Sequence, residues 1–193
     1  MEDAAQPIGA VLAGGAARRL GGAKATRALA GRPMIAYPLA AIAAAGLDAV
    51  VIAKRDSPLP RALAARFVPE PDEPRHPLAG VLAALDHAGG RPVVVCACDI
   101  PLVTAPVIRR LADVPGTAVA HDGERPQPLL ARYRAADATA LRAALAAGES
   151  VTAAALALGP ELVRVEPDAA FNVNTPEDLA RAERLVSERA RPS

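Results

Sequence analysis

The sequence predicts a layered α/β domain built on a mostly parallel sheet. Short apolar runs bounded by Gly, Pro and Asp alternate with Ala/Leu-rich segments of helical period, the pattern of successive βαβ units. The first run, Ile8–Ala13, is apolar on both faces, as a strand covered from both sides must be. The length, 193 residues, suits one domain, which at this size buries a core without disulfide or metal staples. The expected domain is therefore 1–193, with its core over about 8–187 and a frayed tail.

Each element follows in order. After the strand Ile8–Ala13, residues 14–32 read as a Gly/Arg-rich loop, and Met34–Ala45 as a helix. Ala49–Ala53 is a second strand, Leu59–Ala65 a short helix at best, and Arg66–Pro69 a short strand. Pro71, Pro74 and Pro77 make Glu70–Pro77 a loop. A helix over Leu78–His87 leads to the clearest strand, Pro92–Ala97, which runs into Asp99. Thr104 caps a helix ending at Asp113. Strands Thr117–His121 and Pro128–Tyr133 flank the turn Asp122-Gly-Glu-Arg125. Helices Ala135–Ala147 and Val151–Leu158, the second capped by Ser150, precede a strand near Leu162–Val165. In the last helix Thr175 is the cap, Pro176 the first residue and Asp178 the third, a variant capping box.

Composition excludes several function classes. With 52% hydrophobic and 22% charged residues the chain is not intrinsically disordered. A net charge of +1 provides no cationic field for nucleic acid or anionic membrane, and 2% aromatics with no Trp provide no base-stacking surface. The longest uncharged stretch, Met34–Leu47, is shorter than the ~20 residues that span a bilayer and contains Pro38 and Gly46. The acidic N-terminus is unlike a signal peptide, so a cytoplasmic protein is expected. Cys96 and Cys98 read as small core residues rather than a redox pair.

Three segments could carry chemistry. Leu12-Ala-Gly-Gly-Ala-Ala-Arg-Arg19-Leu-Gly-Gly-Ala-Lys24 runs from a buried strand into paired glycines, two arginines and a lysine. Glycines let backbone N–H groups approach phosphate oxygens, and the cations neutralise their charge. A flexible connection with solvated arginines is the alternative. Neither the Walker A nor the G-x-G-x-x-G pattern is present in this loop. The chain carries 20 arginines and two lysines, Lys24 and Lys54, so a lysine at the loop end suggests a site suited to a compact ammonium. In Val93-Val-Val-Cys-Ala-Cys-Asp99, a strand delivers one carboxylate at its C-terminal end, where α/β sheets bind ligands and where Mg²⁺ can take one carboxylate plus phosphates. A turn cap is the plainer role for that Asp. Asn172 and Asn174, spaced by two before a helix, could hold a metal, ribose or substrate amide, or simply structure the loop.

Taken together, Gly9–Pro33, Pro77–Gly80, Cys98–Leu102, His121–Pro128 and Asn172–Asp178 resemble, in order and spacing, the molybdenum cofactor guanylyltransferases (MobA-like). The resemblance implies a three-layer α/β/α Rossmann-like nucleotidyltransferase fold and transfer of GMP from GTP to the terminal phosphate of molybdopterin, with release of pyrophosphate. It implies nucleotide binding by Leu12, Ala13, Gly14, Gly15, Leu78 and Gly80, and Arg19 with Lys24 on the triphosphate. Asp99 would bind Mg²⁺, and Asp72 resembles a family aspartate that contacts the nucleotide. Asp122, Arg125, Gln127, Asn172 and Asn174 look like the pterin-side or metal-side surface. Leu-Ala-Gly-Gly and Pro-Leu-Ala-Gly favour GTP over CTP. Ala23 stands where the family has Asp in a loop one residue longer, His76 replaces a Gly, and Gln127 a His.

The expected mechanism needs no general base, because the attacking phosphate is already ionised; Mg²⁺ on Asp99, Arg19 and Lys24 would supply positioning and charge. Molybdoenzyme maturation proteins are the expected protein partners. A related cytidylyltransferase, a sugar or polyol nucleotidyltransferase, and a non-catalytic nucleotide-binding adaptor are the competing readings.

Overall fold

A computed structural model describes residues 5–14, 24–63 and 65–189. A seven-stranded sheet forms the middle layer. Its strands are β1 (Ile8–Leu12), β4 (Ala49–Ala53), β5 (Arg66–Pro69), β6 (Val93–Ala97), β7 (Ala118–His121), β8 (Pro126–Tyr133) and β9 (Glu161–Arg164), in the order β5-β4-β1-β6-β8-β7-β9. All pairings are parallel except those made by β8 with β6 and β7, so the sheet is mostly parallel, as expected. The helices are α1 (Ala36–Ala44), α2 (Pro77–Ala88), α3 (Ala105–Asp113), α4 (Ala138–Ala146), α5 (Val151–Ala157) and α6 (Pro176–Arg189).

Period-two alternation explains the three layers. Val11, Val51, Val94 and Cys96 point to one face, where Leu39 and Ile42 of α1 and Ile108 and Leu111 of α3 cover them. Ala10, Val50, Ile52, Val93 and Val95 point to the other, under Leu78, Leu82 and Leu85 of α2, Leu141 of α4 and Ala155 of α5. Because both faces are covered, the central strands are apolar throughout. Gly9 lies where a Cβ would stand 2.2 Å from Ile42 Cγ2, so this glycine sets how closely α1 approaches β1.

Two stretches depart from the sequence reading. Residues 14–32 are not all loop: β2 (Ala28–Leu29) and β3 (Arg32–Pro33) pair as a tight antiparallel hairpin across Ala30 and Gly31, both at positive φ. The short helix expected over Leu59–Ala65 does not form among the described residues, since Pro58 and Pro60 flank Leu59 and remove its neighbours' N–H donors. The register of β7 on β8 shifts between Val119 and Ala120, opposite the stretch containing Pro128, which has no N–H to pair.

The expected capping box of α6 is present. Thr175 Oγ1 accepts from Asp178 N at 3.1 Å, and Asp178 Oδ2 accepts from Thr175 N and Asn174 N, each at 2.9 Å. Burial pushes the Asp178 carboxyl up, but these donors and Arg181 outweigh it and hold it below its ordinary value. α6 packs on the hairpin side through a small cluster of Leu29, Met34, Val173 and Ala182 with Tyr37, Phe171, Leu179 and Val186 around it.

Two stability outcomes are expected. Gly9→Ala forces a methyl into the fully buried Ile42 and should cost about 1–3 kcal/mol, read as a lower Tm. A carboxyl held low in the folded chain stabilises above about pH 4 and loses that effect as pH falls through its folded value. Asp178→Ala should therefore melt below wild type at pH 6, with the gap closing as melts are repeated toward pH 3.

Candidate functional site

The four parallel strands β1, β4, β5 and β6 end on one side of the sheet, and a polar or glycine residue follows each end. Gly14 lies past β1, Lys54 follows β4, Glu70 follows β5, and Asp99 lies two residues past β6. These residues line a cavity of about 420 Å³ together with Leu12, Lys24, Arg75, His76, Pro77, Gly80, Ala97, Cys98 and Leu129. The chain leaves β1 toward β4 and leaves β6 toward β7 on the opposite flank, so the cavity sits at the switch in strand order where such sheets bind ligands.

At one wall Lys24 and Asp99, 75 positions apart, meet: Lys24 Nζ donates to Asp99 Oδ2 at 2.7 Å and to Asn174 Oδ1 at 2.7 Å. Asp99 stands in a turn tied to both neighbours, with Cys98 N donating to Leu12 O at 3.0 Å and Val173 N to Asp99 O at 2.8 Å. The Lys24 and Asp99 side chains are only 15% and 17% exposed, so each is the other's main compensation for lost water.

A second ion pair also lines the cavity; the sequence reading named Lys54 but not its partner Glu70. Lys54 Nζ lies 3.6 Å from Glu70 Oε1, both side chains 9% exposed, and donates to Pro71 O at 2.6 Å. Burial pushes the Glu70 carboxyl above its ordinary range, with Lys54 pulling it part of the way back. Its position explains two motif glycines: a Cβ on Gly14 would stand 1.8 Å from Glu70 Oε1, and one on Gly80 2.8 Å from Glu70 Oε2. The carboxylate that faces both glycine segments is thus Glu70. Asp72, the expected nucleotide contact, is exposed and does not line the cavity. The signal for Glu70 is its place directly after a parallel strand, the same rule that singled out Asp99.

The N-terminus of α2 opens onto the cavity, with His76 Nδ1 accepting from Leu78 N at 3.2 Å as its cap and Pro77 as its first residue. That end of a 12-residue helix favours negative charge. Leu78 itself is fully buried against the sheet, and Ala13, 8% exposed, belongs to the other core layer; neither side chain lines the cavity. Cys98 touches the cavity wall but burial pushes its thiol up to about 12, so it offers no thiolate at neutral pH. Gly15 and Arg19 lie outside the described residues.

Beside the cavity a second polar chain crosses from the β7–β8 turn to the segment before α6. Asp122 Oδ1 accepts from Glu124 N at 2.9 Å and Arg125 N at 2.7 Å, and Gln127 Nε2 donates to Asp122 Oδ2 at 3.2 Å. Chiefly the Arg125 N–H, against burial, holds the Asp122 carboxyl below its ordinary value. Asn172 Nδ2 donates to Gln127 Oε1 at 3.3 Å and to Ala170 O at 3.1 Å. The two asparagines therefore serve different walls: Asn172 joins Gln127 and Asp122, while Asn174 holds Lys24. Arg125 is exposed.

Among the described residues no three His, Cys, Asp or Glu side chains gather, so an all-protein metal cage is not formed by them. Asp99 suits a cation of another kind. It already carries the ammonium of Lys24 on Oδ2 in the cavity wall, and Mg²⁺ needs only one or two carboxylates when waters and phosphates complete its shell.

Comparison with known proteins gives the same picture. The MobA-like NTP transferase domain matches residues 9–159. The molybdenum cofactor guanylyltransferase of Cereibacter sphaeroides is 36% identical over 187 residues, covering 93% of this chain and 96% of that protein. The crystal structure of molybdopterin-guanine dinucleotide biosynthesis protein A from Archaeoglobus fulgidus superposes with a TM-score of 0.75 at 27% identity, over 94% of this chain and 99% of that one. The 2-C-methyl-D-erythritol 4-phosphate cytidylyltransferase of Thermus thermophilus shares the fold, with a TM-score of 0.70 at 22% identity over 94% and 99% of the two chains. With a Rossmann-like sheet, a cavity at its switch point and a family domain that spans most of its length, the chain belongs to the MobA-like NTP transferases.

Proposed function

We propose that this chain transfers GMP from GTP to the terminal phosphate of molybdopterin and releases pyrophosphate. The meeting of Lys24 with Asp99 in the wall of a cavity also lined by Gly14 and Gly80 is the observation that supports a triphosphate site there. The naming of relatives such as the Cereibacter sphaeroides enzyme supports the guanylyl group and the pterin acceptor.

The chemistry follows from the groups. An acceptor phosphate oxygen, ionised at neutral pH, attacks the α-phosphorus of GTP. The bond from that phosphorus to the bridging oxygen breaks, and its electron pair leaves with pyrophosphate. No proton has to be removed, so the barrier lies in gathering anions and in charge growing on the leaving group. Lys24 meets that charge, exchanging Asp99 Oδ2 for phosphate oxygens, and the N-terminus of α2 adds backbone dipole. Within the cavity Lys24 balances Asp99 and Lys54 balances Glu70, so these four residues alone present no net charge to a triphosphate. Mg²⁺ held by Asp99 would supply the missing counter-charge. Glu70 offers a buried acceptor, the complement of the adjacent N1–H and N2–H donors of guanine. Asn172, Gln127 and Asp122 form the acceptor-side wall.

Pyrophosphate release measured with molybdopterin, Mg²⁺ and either GTP or CTP tests this reading: GTP should be the better donor, and release with CTP alone would overturn the guanylyl assignment. Lys24→Ala should lower turnover by ~10²–10³-fold, as loss of one preorganised electrostatic donor does. Asp99→Ala should abolish Mg²⁺-dependent turnover while the far-ultraviolet circular dichroism stays that of the folded chain, since Asp99 stands in a turn beyond β6.

A further inference from the structure

Lysine is the side chain least able to hold its own position, with four rotatable bonds and about 2 kcal/mol of rotamer entropy. Lys24 is nevertheless held at two points. One is Asp99; the other is Asn174, itself an exposed residue whose side chain would wander if its backbone were loose. That backbone is not loose. Asn174 N donates to Asp178 Oδ2 at 2.9 Å, the same oxygen that takes Thr175 N, and the preceding Val173 N is bound to Asp99 O at 2.8 Å. Hydrogen bonds to an ionised carboxylate are roughly twice as strong as neutral ones. The main chain of Lys24 reaches the same cluster. Lys24 O accepts from Arg27 N, Arg27 O accepts from Met34 N at 2.8 Å, and Met34 packs with Leu29, Val173 and Ala182 of α6.

We propose that Asp178 is a positioning residue for Lys24, acting through Asn174, so that the cap of the last helix sets where the phosphate-binding ammonium stands. This rests on the reading of Lys24 as a phosphate ligand. Its geometry does not depend on which nucleotide or acceptor is used. An ammonium displaced by the loss of Asn174 would still be drawn to Asp99, but along one line instead of two.

The two lysines of the chain make the test direct. In protein grown with [¹³Cε]lysine the side-chain spectrum holds one signal for Lys24 and one for Lys54, assigned with Lys54→Arg. Asp178→Ala should move the Lys24 signal in the direction that Asn174→Ala moves it, leave Lys54 in place, and add nothing in the Asn174→Ala background. Asp178→Asn, which keeps a carbonyl acceptor, should hold Lys24 near its wild-type position. Ala180→Gly weakens exposed α6 by ~1 kcal/mol with the cap intact, and should lower Tm without moving Lys24. A Lys24 signal unmoved by Asp178→Ala, or moved equally by Ala180→Gly, would overturn the proposal. In the transferase assay Asp178→Ala should reduce turnover by ~10-fold, less than the ~10²-fold a 1 Å misplacement can cost. A wild-type chain that binds nucleotide but transfers nothing would defeat the transferase reading, and the lysine signals would still decide the role of Asp178.

Discussion

The 2.7 Å contact between Lys24 and Asp99 is the constraint on which the site depends. It joins the chain after β1 to the chain after β6, and those two strands are neighbours because the chain, having added β4 and β5 on one side of β1, returns to add β6 on the other. The backbone already ties these two strand ends through Cys98 N and Leu12 O; the ion pair adds Lys24, twelve positions beyond Leu12, to them. Together they make a cavity whose walls carry opposed charges, each compensated locally. Such a cavity tolerates being empty, since each of these buried charges has its partner.

Much of this was legible because the local signals agreed with the global fold. The strands Ala49–Ala53 and Arg66–Pro69 match the sequence reading residue for residue, and the Thr175–Asp178 capping box formed as its pattern required. That Lys24 and Asp99 share one site was expected from the family resemblance, and the structure sets their side chains 2.7 Å apart. What escaped was decided by contacts distant in sequence. Glu70 looked like part of a proline-dense loop, and its role appears only when it fills the space beside Gly14 and Gly80. Asn172 and Asn174 look alike on paper, yet Val173 is buried between them and their amides serve different walls. The short helix expected near Leu59 failed for a local reason, two prolines, that the apolar pattern outweighed on paper.

The segment 171–174 and α6 thus do more than close the fold. From Asn172 to Asn174 successive residues bind Gln127, the Asp99 turn and Lys24. α6 has little buried area of its own, only Ala182 being fully covered, and its position is set largely by the hairpin it packs on and by its cap.

The fit of Glu70 against Gly14 and Gly80 has an evolutionary corollary. A carboxylate standing where two side chains would otherwise begin makes the length of that acid and the smallness of both glycines a single inherited trait. A lineage that shortened the acid would open room at both motifs at once, and one that enlarged either glycine would have to give up the acid first. Divergence at these three positions is therefore expected to be concerted.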